Sequence, residues 1–194
     1  AYTITYNGNT GSTPAAVKAY RPFTGWTKSG SGSITATTPL ATTTQTYTFG
    51  AGAGTLTAGY NGTSEAITLA TPTKNYTITY NTNNSGCTSS KTTQSAKVTG
   101  TGWYTATSGG TKVGDFGGSK TFTGNTTLYA QWNSISEAID FATITKTGYT
   151  CIWNTKSDGT GDSYTPGMVS TGFSQNTTLY AIALVKSYTL TVKP

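Results

Sequence analysis

The side chains that could do chemistry in this chain are few. It contains no histidine, which removes the imidazole needed for Ser-His-Asp triads, for the common metal sites and for acid–base work near neutral pH. Six carboxylates and two cysteines remain. A glycosidase needs two carboxylates in one cleft, and Glu137 and Asp140 are near each other in sequence without any pattern that predicts a shared pocket. We therefore expect no enzyme, no cofactor and no metal site.

A loop with two aspartates places oxygen ligands close together. The stretch Asp158-Gly159-Thr160-Gly161-Asp162 could offer carboxylates and turn carbonyls to a calcium ion, although it has fewer ligands than an EF-hand loop. Gly and Asp are also the residues that favour tight turns. The sequence predicts a turn here and leaves loose calcium binding as the alternative.

The two cysteines allow at most one disulfide within the chain. Cys87 follows an Asn- and Gly-containing stretch typical of a turn, whereas Cys151 takes a strand position expected to face a core. A Cys87–Cys151 disulfide is possible in an oxidising compartment. The alternative, which the strand pattern favours, is an inert buried thiol at Cys151.

The rest of the composition predicts strands joined by turns. Charged residues make up only 9% of the chain, and aromatic residues make up 12%. Thr and Tyr favour strands and Gly and Asn favour turns, whereas helix formers are scarce. Residues 15–20, between Pro14 and Pro22, suggest one short helix. The expected fold is mainly β with little helix, and the regular placing of the aromatic residues argues against disorder.

The net charge of +6 comes from scattered lysines and a single arginine. Surfaces that bind nucleic acid usually carry basic clusters with arginine, so we expect no nucleic-acid partner. Weak attraction to anionic wall polymers or membranes is the alternative to solvated lysines. No apolar stretch has the length of a membrane helix, so we expect no membrane insertion. The first residue is Ala1 rather than Met, which indicates a processed chain or a fragment and favours an extracellular or cell-surface location.

Internal repeats are the most informative feature of the sequence. A Ser-Glu-Ala-Ile motif at residues 64–67 returns 72 residues later, and an Asn-Thr-Thr-Leu-Tyr-Ala motif at residues 125–130 returns 51 residues later. Residues 55–61 are a looser copy of the second motif, and a Gly-Trp pair occurs at two places. The repeats divide the chain into three modules and a C-terminal strand. The predicted bounds are 1–61, 62–133, 134–184 and 185–194.

An alternating strand opens each module. The motif Tyr-Thr-Ile-Thr-Tyr-Asn occurs at residues 2–7 and 76–81, with a looser copy at 149–154. Its Tyr and Ile side chains lie on one face and its Thr side chains on the other, which is typical of a half-buried strand. A β module of about 60 residues has little else to bury than its aromatic rings, and a sugar-stacking platform is the alternative use for them. The predicted core anchors are Trp26, Trp103, Trp132 and Trp153.

These motifs resemble the Listeria–Bacteroides repeat family. The resemblance rests on residues 141–153 with the Gly-rich turn that follows them, on the Gly-Trp and Gly-Gly turns at residues 102–110, and on the two Thr-Leu-Tyr-Ala strands. It covers most of residues 62–184 and, more weakly, residues 1–61. It implies tandem β-grasp-like or β-sandwich-like modules displayed on a bacterial surface, as in internalin-type proteins. It supplies no catalytic residues.

Two functions remain as expectations. The first is a non-enzymatic extracellular structural repeat protein, which forms a filament, sheath or stalk as a homopolymer or a tandem array of like modules. The second is a secreted adhesin-type module that recognises cell-wall or host glycans or a host protein. Tyr188, Leu190 and Val192 favour the first, because they repeat the apolar alternation of an opening strand at the end of the chain. We expect them to complete a sheet in a neighbouring subunit by strand addition, and the alternatives are that the strand packs on the third module or begins a further module.

Overall fold

The structure is a computed structural model that describes residues 1–32, 50, 52–170, 172–188 and 190–192. Every regular element in these residues is a β-strand, which confirms the mainly β fold. The strands are β1 (Tyr2–Asn7), β2 (Val17–Ala19), β3 (Phe23–Gly30), β4 (Gly54–Tyr60), β5 (Ile67–Thr68), β6 (Asn75–Asn81), β7 (Thr88–Ser89), β8 (Thr93–Lys97), β9 (Gly100–Tyr104), β10 (Lys112–Gly114), β11 (Ser119–Lys120), β12 (Thr126–Trp132), β13 (Ile144–Thr145), β14 (Tyr149–Asn154), β15 (Ser163–Tyr164) and β16 (Thr177–Val185).

The short helix expected at residues 15–20 is wrong. Strand β2 forms there instead and pairs antiparallel with β1, so that Ala19 lies opposite Tyr2. A helix of six residues is marginal in water because its nucleation cost is spread over few hydrogen bonds. Pairing with β1 satisfies the backbone and buries Ala19 completely, so the tertiary contact decides the local structure.

The strands belong to two compact units, and each unit is assembled from separated segments of the chain. Unit 1 comprises residues 1–9, 13–72 and 102–131. Unit 2 comprises residues 10–12, 73–101 and 132–194. The units therefore do not follow the module boundaries that the sequence repeats suggest.

Each unit contains one five-stranded sheet, and the two sheets have equivalent strand orders. The order is β10-β9-β12-β1-β2 in unit 1 and β15-β14-β16-β6-β8 in unit 2. In both sheets the opening strand runs parallel to the strand that carries Thr-Leu-Tyr-Ala: Tyr6 lies opposite Leu128, and Tyr80 lies opposite Leu179. Parallel neighbours cannot be joined by a tight turn. The chain must leave the sheet after its opening strand and return later, which leaves room for another segment of chain between the two strands.

Unit 2 begins inside unit 1. Between residues 72 and 102 the chain forms the opening strands of unit 2, β6 to β8, before it returns to unit 1 with β9. The sequence repeats record the same insertion. The Ser-Glu-Ala-Ile copies are 72 residues apart, but Trp103 and Trp153 are 50 residues apart, so 72 − 50 = 22 additional residues separate these motifs in unit 1.

The core of each unit is built on the buried face of its sheet. Trp103 packs on Tyr6 with ring centroids 4.7 Å apart, and Trp153 packs on Tyr80 at 4.8 Å. Aromatic pairs at this separation stabilise a core beyond their area burial. The largest fully buried apolar side chains of the sheets are Ile4, Trp103 and Leu128 in unit 1 and Ile78, Trp153 and Leu179 in unit 2.

Strands β3 and β4 form a separate two-stranded antiparallel sheet. Trp26 on β3 lies opposite Ala58 on β4. The Phe23 ring meets Trp26 and Tyr60 edge to face, with centroids 5.6 and 5.7 Å apart. Both Trp26 and Tyr60 nevertheless remain exposed, because no further strand covers this sheet in the described residues.

Candidate functional site

Two of the four tryptophans predicted as core anchors lie in the cores. Trp103 and Trp153 have no solvent exposure. Each indole N–H donates to a backbone carbonyl, Ala70 at 2.8 Å and Ala142 at 2.7 Å. A buried indole needs such a partner. Each tryptophan therefore links its strand to the segment that follows the Ser-Glu-Ala-Ile motif in the same unit.

The other two tryptophans are placed differently. Trp132 ends β12 with an intermediate exposure, and its ring lies against Gly11, where a side chain would collide with it. Trp26 is 37% exposed and is therefore not buried in a core as the sequence predicted. It lies on the β3–β4 sheet, where the described residues include no third strand to cover the ring.

Polar side chains that the sequence analysis did not single out fasten the opening strands. The Asn125 side-chain oxygen accepts a hydrogen bond from the Thr3 backbone N–H at 2.8 Å. Asn176 does the same for Thr77 at 2.9 Å. Both asparagines precede a Thr-Thr-Leu-Tyr-Ala strand, so their recurrence at a spacing of 51 residues was the signal that could have identified them.

Two serines hold the Ser-Glu-Ala-Ile segments in place. The buried Ser64 hydroxyl accepts a hydrogen bond from the Phe122 backbone N–H at 3.0 Å, and the Ser64 N–H donates to the Phe122 carbonyl at 2.8 Å. Ser136 and Phe173 repeat both bonds at the same distances in unit 2. The serines of the repeated motif therefore satisfy backbone groups of the chain itself.

A carboxylate with two polar contacts lies at the surface of unit 2. Glu137 accepts a hydrogen bond from the Thr99 hydroxyl at 2.9 Å and pairs with Lys97, with the ammonium nitrogen 3.4 Å from the carboxylate oxygen. The Thr99 hydrogen bond, followed by Lys97, lowers the pKa of Glu137 below its ordinary value. Asp140, its neighbour in sequence, forms an isolated β-bridge with Val169. Glu137 is thus held as an ionised structural group.

The loop considered for calcium forms a closed turn. Asp158 accepts hydrogen bonds from the Thr160 N–H at 2.9 Å and hydroxyl at 2.8 Å, which lower the pKa of its carboxyl. The amide of the fully buried Asn154 donates to the carbonyls of Gly159 and Gly161 at 3.1 and 2.9 Å. In the described residues, no three His, Cys, Asp or Glu side chains come together in a group that could hold a metal ion. Asn154 takes up the carbonyls that a cation would need, which favours the structural turn.

The two cysteines lie in one core. Cys87 and Cys151 are both buried among the apolar residues of unit 2, and neither is in a disulfide in the structure. The Cys151 thiol is in hydrogen-bonding reach of Cys87, and burial together with this neighbour raises the pKa of Cys151 to about 11. The predicted disulfide remains a prediction, but its two thiols are neighbours.

Among the large apolar side chains of the described residues, those with the highest fractional exposure lie in the C-terminal segment. Strand β16 ends at Val185, and Tyr188, Leu190 and Val192 beyond it are 80%, 86% and 79% exposed. Thr189, Lys193 and Pro194 of the predicted C-terminal strand lie outside the described residues. The described part of this segment pairs with no sheet. This exposure makes the segment the candidate for the strand addition expected from the sequence.

A polar cleft of about 500 Å³ lies in unit 2 beside β15 and β16. Tyr164 and Tyr180 contribute aromatic rings to it, and Asp162, Gln175 and Asn176 contribute polar groups. Its size is that of a small-molecule site. It is the candidate position for the alternative function of glycan recognition.

Comparison with known proteins identifies one family. The Listeria-Bacteroides repeat domain matches residues 97–131 and 133–182, which confirms the resemblance seen in the sequence. Neither the curated proteins nor the solved structures gave a match to the chain. Within the described residues, no helix has the length and apolar character needed to span a membrane.

Proposed function

We propose a structural role at the cell surface, because residues 97–131 and 133–182 match the Listeria-Bacteroides repeat domain, a family typical of bacterial surface proteins. The chain is a non-enzymatic, extracellular subunit of a filament, sheath or stalk. It assembles by adding its C-terminal strand to a neighbouring subunit. The exposure of Tyr188, Leu190 and Val192 is the observation that carries this proposal.

The opening strands show what this apolar pattern requires. Ile4 in β1 and Ile78 in β6 are completely buried, whereas Leu190, at the matching position of the C-terminal copy, is 86% exposed. Burying a side chain of this kind contributes about 1.5–3 kcal/mol. Its backbone also needs hydrogen-bond partners that a lone strand does not have. Docking on a sheet edge meets both requirements at once.

The polar groups support the same role. The recurring polar side chains Asn125, Ser64 and Asn154 are hydrogen-bonded to the backbone of the chain itself. Asn125 and Ser64 join segments that are distant in sequence, and Asn154 closes a local turn. Such bonds stabilise a repeat scaffold and leave few preorganised groups for a substrate.

Removal of residues 187–194 tests the proposal. The truncated chain should remain folded by circular dichroism but should no longer form long assemblies in electron microscopy or sedimentation. The matched control is Thr191→Ser, because Thr191 lies on the opposite face of the strand from Leu190. Polymers formed by the truncated chain as readily as by the whole chain would refute assembly through this strand.

A further inference from the structure

The β3–β4 sheet has the features of an incomplete third repeat. Trp26 follows a glycine, as Trp103 does, and β4 carries Leu56 and Ala58 at the positions of the Leu and Ala in the closing motif. The pairing agrees as well, because Trp26 lies opposite Ala58 just as Trp153 lies opposite Ala181. Strand β3 therefore corresponds to β9 and β14, and β4 corresponds to β12 and β16.

This incomplete repeat lacks the opening strand. In unit 1, β12 is flanked by β9 on one side and by the opening strand β1 on the other, whereas β4 has only β3 beside it in the described residues. Among the described strands, equivalent side chains are less buried on β4, which has one neighbouring strand, than on β12, which has two. Leu128 and Ala130 of β12 are completely buried, but Leu56 and Ala58 of β4 are only partly buried. Among the described residues, no strand is therefore paired with the edge of β4 that would receive an opening strand.

The edge of β4 also lacks the usual protection against strand pairing. Natural edge strands are kept short or carry charges, particularly lysine. The edges of the two five-stranded sheets obey this rule, since β2, β8 and β10 have at most five residues and each contains a lysine, and β15 has two residues. Strand β4 has seven residues, Gly-Thr-Leu-Thr-Ala-Gly-Tyr, and no charge.

The C-terminal segment supplies the element that β4 lacks. Its sequence Tyr188-Thr189-Leu190-Thr191-Val192 repeats the alternation of Tyr2-Thr3-Ile4-Thr5-Tyr6. We propose that this segment of one copy of the chain pairs in parallel with β4 of a second copy and completes its third repeat. This inference rests on the proposed function and names the acceptor for the strand addition.

The complete repeats fix the register of the pairing. Tyr6 lies opposite Leu128, and Tyr80 lies opposite Leu179. By the same alignment Val192 lies opposite Leu56, and Leu190 lies opposite Gly54. In this register Val192 takes the place of the tyrosine that packs on the core tryptophan, so it covers the exposed face of Trp26.

The assembly that results is a head-to-tail polymer. Each copy carries one donor strand after β16 and one acceptor edge at β4, and the two surfaces are different. A heterologous contact of this kind extends without closing unless its rotation happens to form a ring. The pairing therefore predicts fibres rather than symmetric dimers.

A mixing experiment with two variants tests the inference. Leu190→Asp removes the donor and keeps the acceptor, whereas Leu56→Asp removes the acceptor and keeps the donor. Each variant alone should sediment as a monomer. An equimolar mixture should give a dimer of twice the mass and nothing longer, because only one productive contact remains. Thr191→Asp and Thr57→Asp are the matched controls, since they place the same charge on the opposite face of each strand and should still polymerise.

Engineered cysteines test the register. In a background with Cys87→Ala and Cys151→Ala, the pair Val192→Cys and Leu56→Cys should give a reducible ladder of covalent oligomers on oxidation. The pair Val192→Cys and Thr57→Cys should give at least tenfold less, because these side chains lie on opposite faces. Equal ladders, or a cross-linked monomer from the first pair, would overturn the pairing between copies in this register.

The outcomes separate this inference from the proposed function. If truncation of residues 187–194 abolishes assembly but Leu56→Asp polymerises normally, the donor strand is right and the acceptor is wrong. If the truncated chain still polymerises, the proposed function fails as well. A Leu56→Asp monomer must retain the circular dichroism of the parent chain, and loss of that spectrum is resolved by testing Ala58→Asp, which charges the same face at a second position.

Discussion

Units 1 and 2 use the same bonds to join different pieces of chain. The core tryptophan donates to an alanine carbonyl in both, at 2.8 Å from Trp103 and 2.7 Å from Trp153. The opening strand is held by an asparagine side chain at 2.8 Å in unit 1 and 2.9 Å in unit 2. These bonds survive although the two units have different interruptions in sequence. What is repeated is therefore a set of contacts between segments that follow one another in the same order, and the length of chain between the segments differs.

The residue before the core tryptophan distinguishes the two sheets. Gly102 has φ +126°, and a side chain there would meet the Gly114 carbonyl oxygen at 2.7 Å. The register of β9 and β10 shifts close to it, between Lys112 and Gly114. Unit 2 has Ile152 at this position, and the equivalent pair of strands, β14 and β15, shows no shift, with Trp153 opposite Tyr164 and Asn154 opposite Ser163. A glycine-dependent bulge is thus one solution for the strand, and an isoleucine in regular pairing is the other.

The largest effect that would sharpen the comparison is removal of a core tryptophan. Trp103→Ala and Trp153→Ala should each destabilise the unit that contains the residue by about 3–5 kcal/mol. The protection of backbone amides from hydrogen exchange should fall mainly in unit 1 for the first variant and mainly in unit 2 for the second. Trp26→Ala is the control and should cost less, because its ring is 37% exposed. Equal loss of protection in both units after either change would show that they unfold as one body.

The cysteines give the second difference between the units, since unit 1 contains none. Oxidised glutathione should convert Cys87 and Cys151 to a disulfide. The glutathione disulfide bond breaks, and two protons and two electrons from the thiols give two molecules of reduced glutathione. The bond joins residues 73–101 to residues 132–194 and should stabilise unit 2 by about 2–4 kcal/mol. Thermal unfolding with and without reductant measures the effect, and Cys87→Ala with Cys151→Ala removes it.

The same cysteines should be slow to react once the protein has folded. Burial and the neighbouring Cys87 raise the pKa of the Cys151 thiol to about 11, so little thiolate exists at neutral pH. Refolding in oxidised glutathione should therefore form the bond faster than incubation of the folded, reduced protein. Rapid alkylation of both thiols in the native state would contradict the buried arrangement.

The sequence was sufficient to predict the two opening strands but not to predict how the strands are connected. The alternation at residues 2–7 and 76–81 identifies two opening strands, and the structure buries Ile4 and Ile78 as that alternation requires. The parallel pairing of β1 with β12 joins residues more than 100 positions apart, and no local pattern encodes it. From the sequence alone, the repeats therefore predict consecutive modules, although the 22-residue difference between two repeat offsets indicates the insertion.

The candidate site shows the same limit. The apolar stripe at Tyr188, Leu190 and Val192 could be found from its alternation. The uncovered edge of β4 could not, because Leu56 and Ala58 look like buried residues until their burial is compared with that of Leu128. Asn154 was also missed, since a single asparagine at the end of a strand does not reveal that its amide closes the following turn.

The smallest expected effect concerns the two glutamates of the Ser-Glu-Ala-Ile motif. The Glu137 backbone N–H donates to the Lys97 carbonyl, whereas the Glu65 N–H donates to the Tyr20 carbonyl. Among the described residues, an ion pair therefore forms at Glu137 and not at Glu65. The pKa of Glu137 is lowered in the folded state. Its stabilising effect is therefore present above the ordinary glutamate pKa of about 4.3 and is lost as the pH falls through the lower folded value.

Glu137→Gln should lower the midpoint of thermal unfolding slightly at pH 7 and should have no effect near pH 2, and salt should weaken the difference because the pair is exposed. Glu65→Gln is the matched control. A loss for Glu137→Gln that is equal at both pH values would assign the effect to shape and hydrogen bonding, and the charge difference between the units would then have no part in their stability.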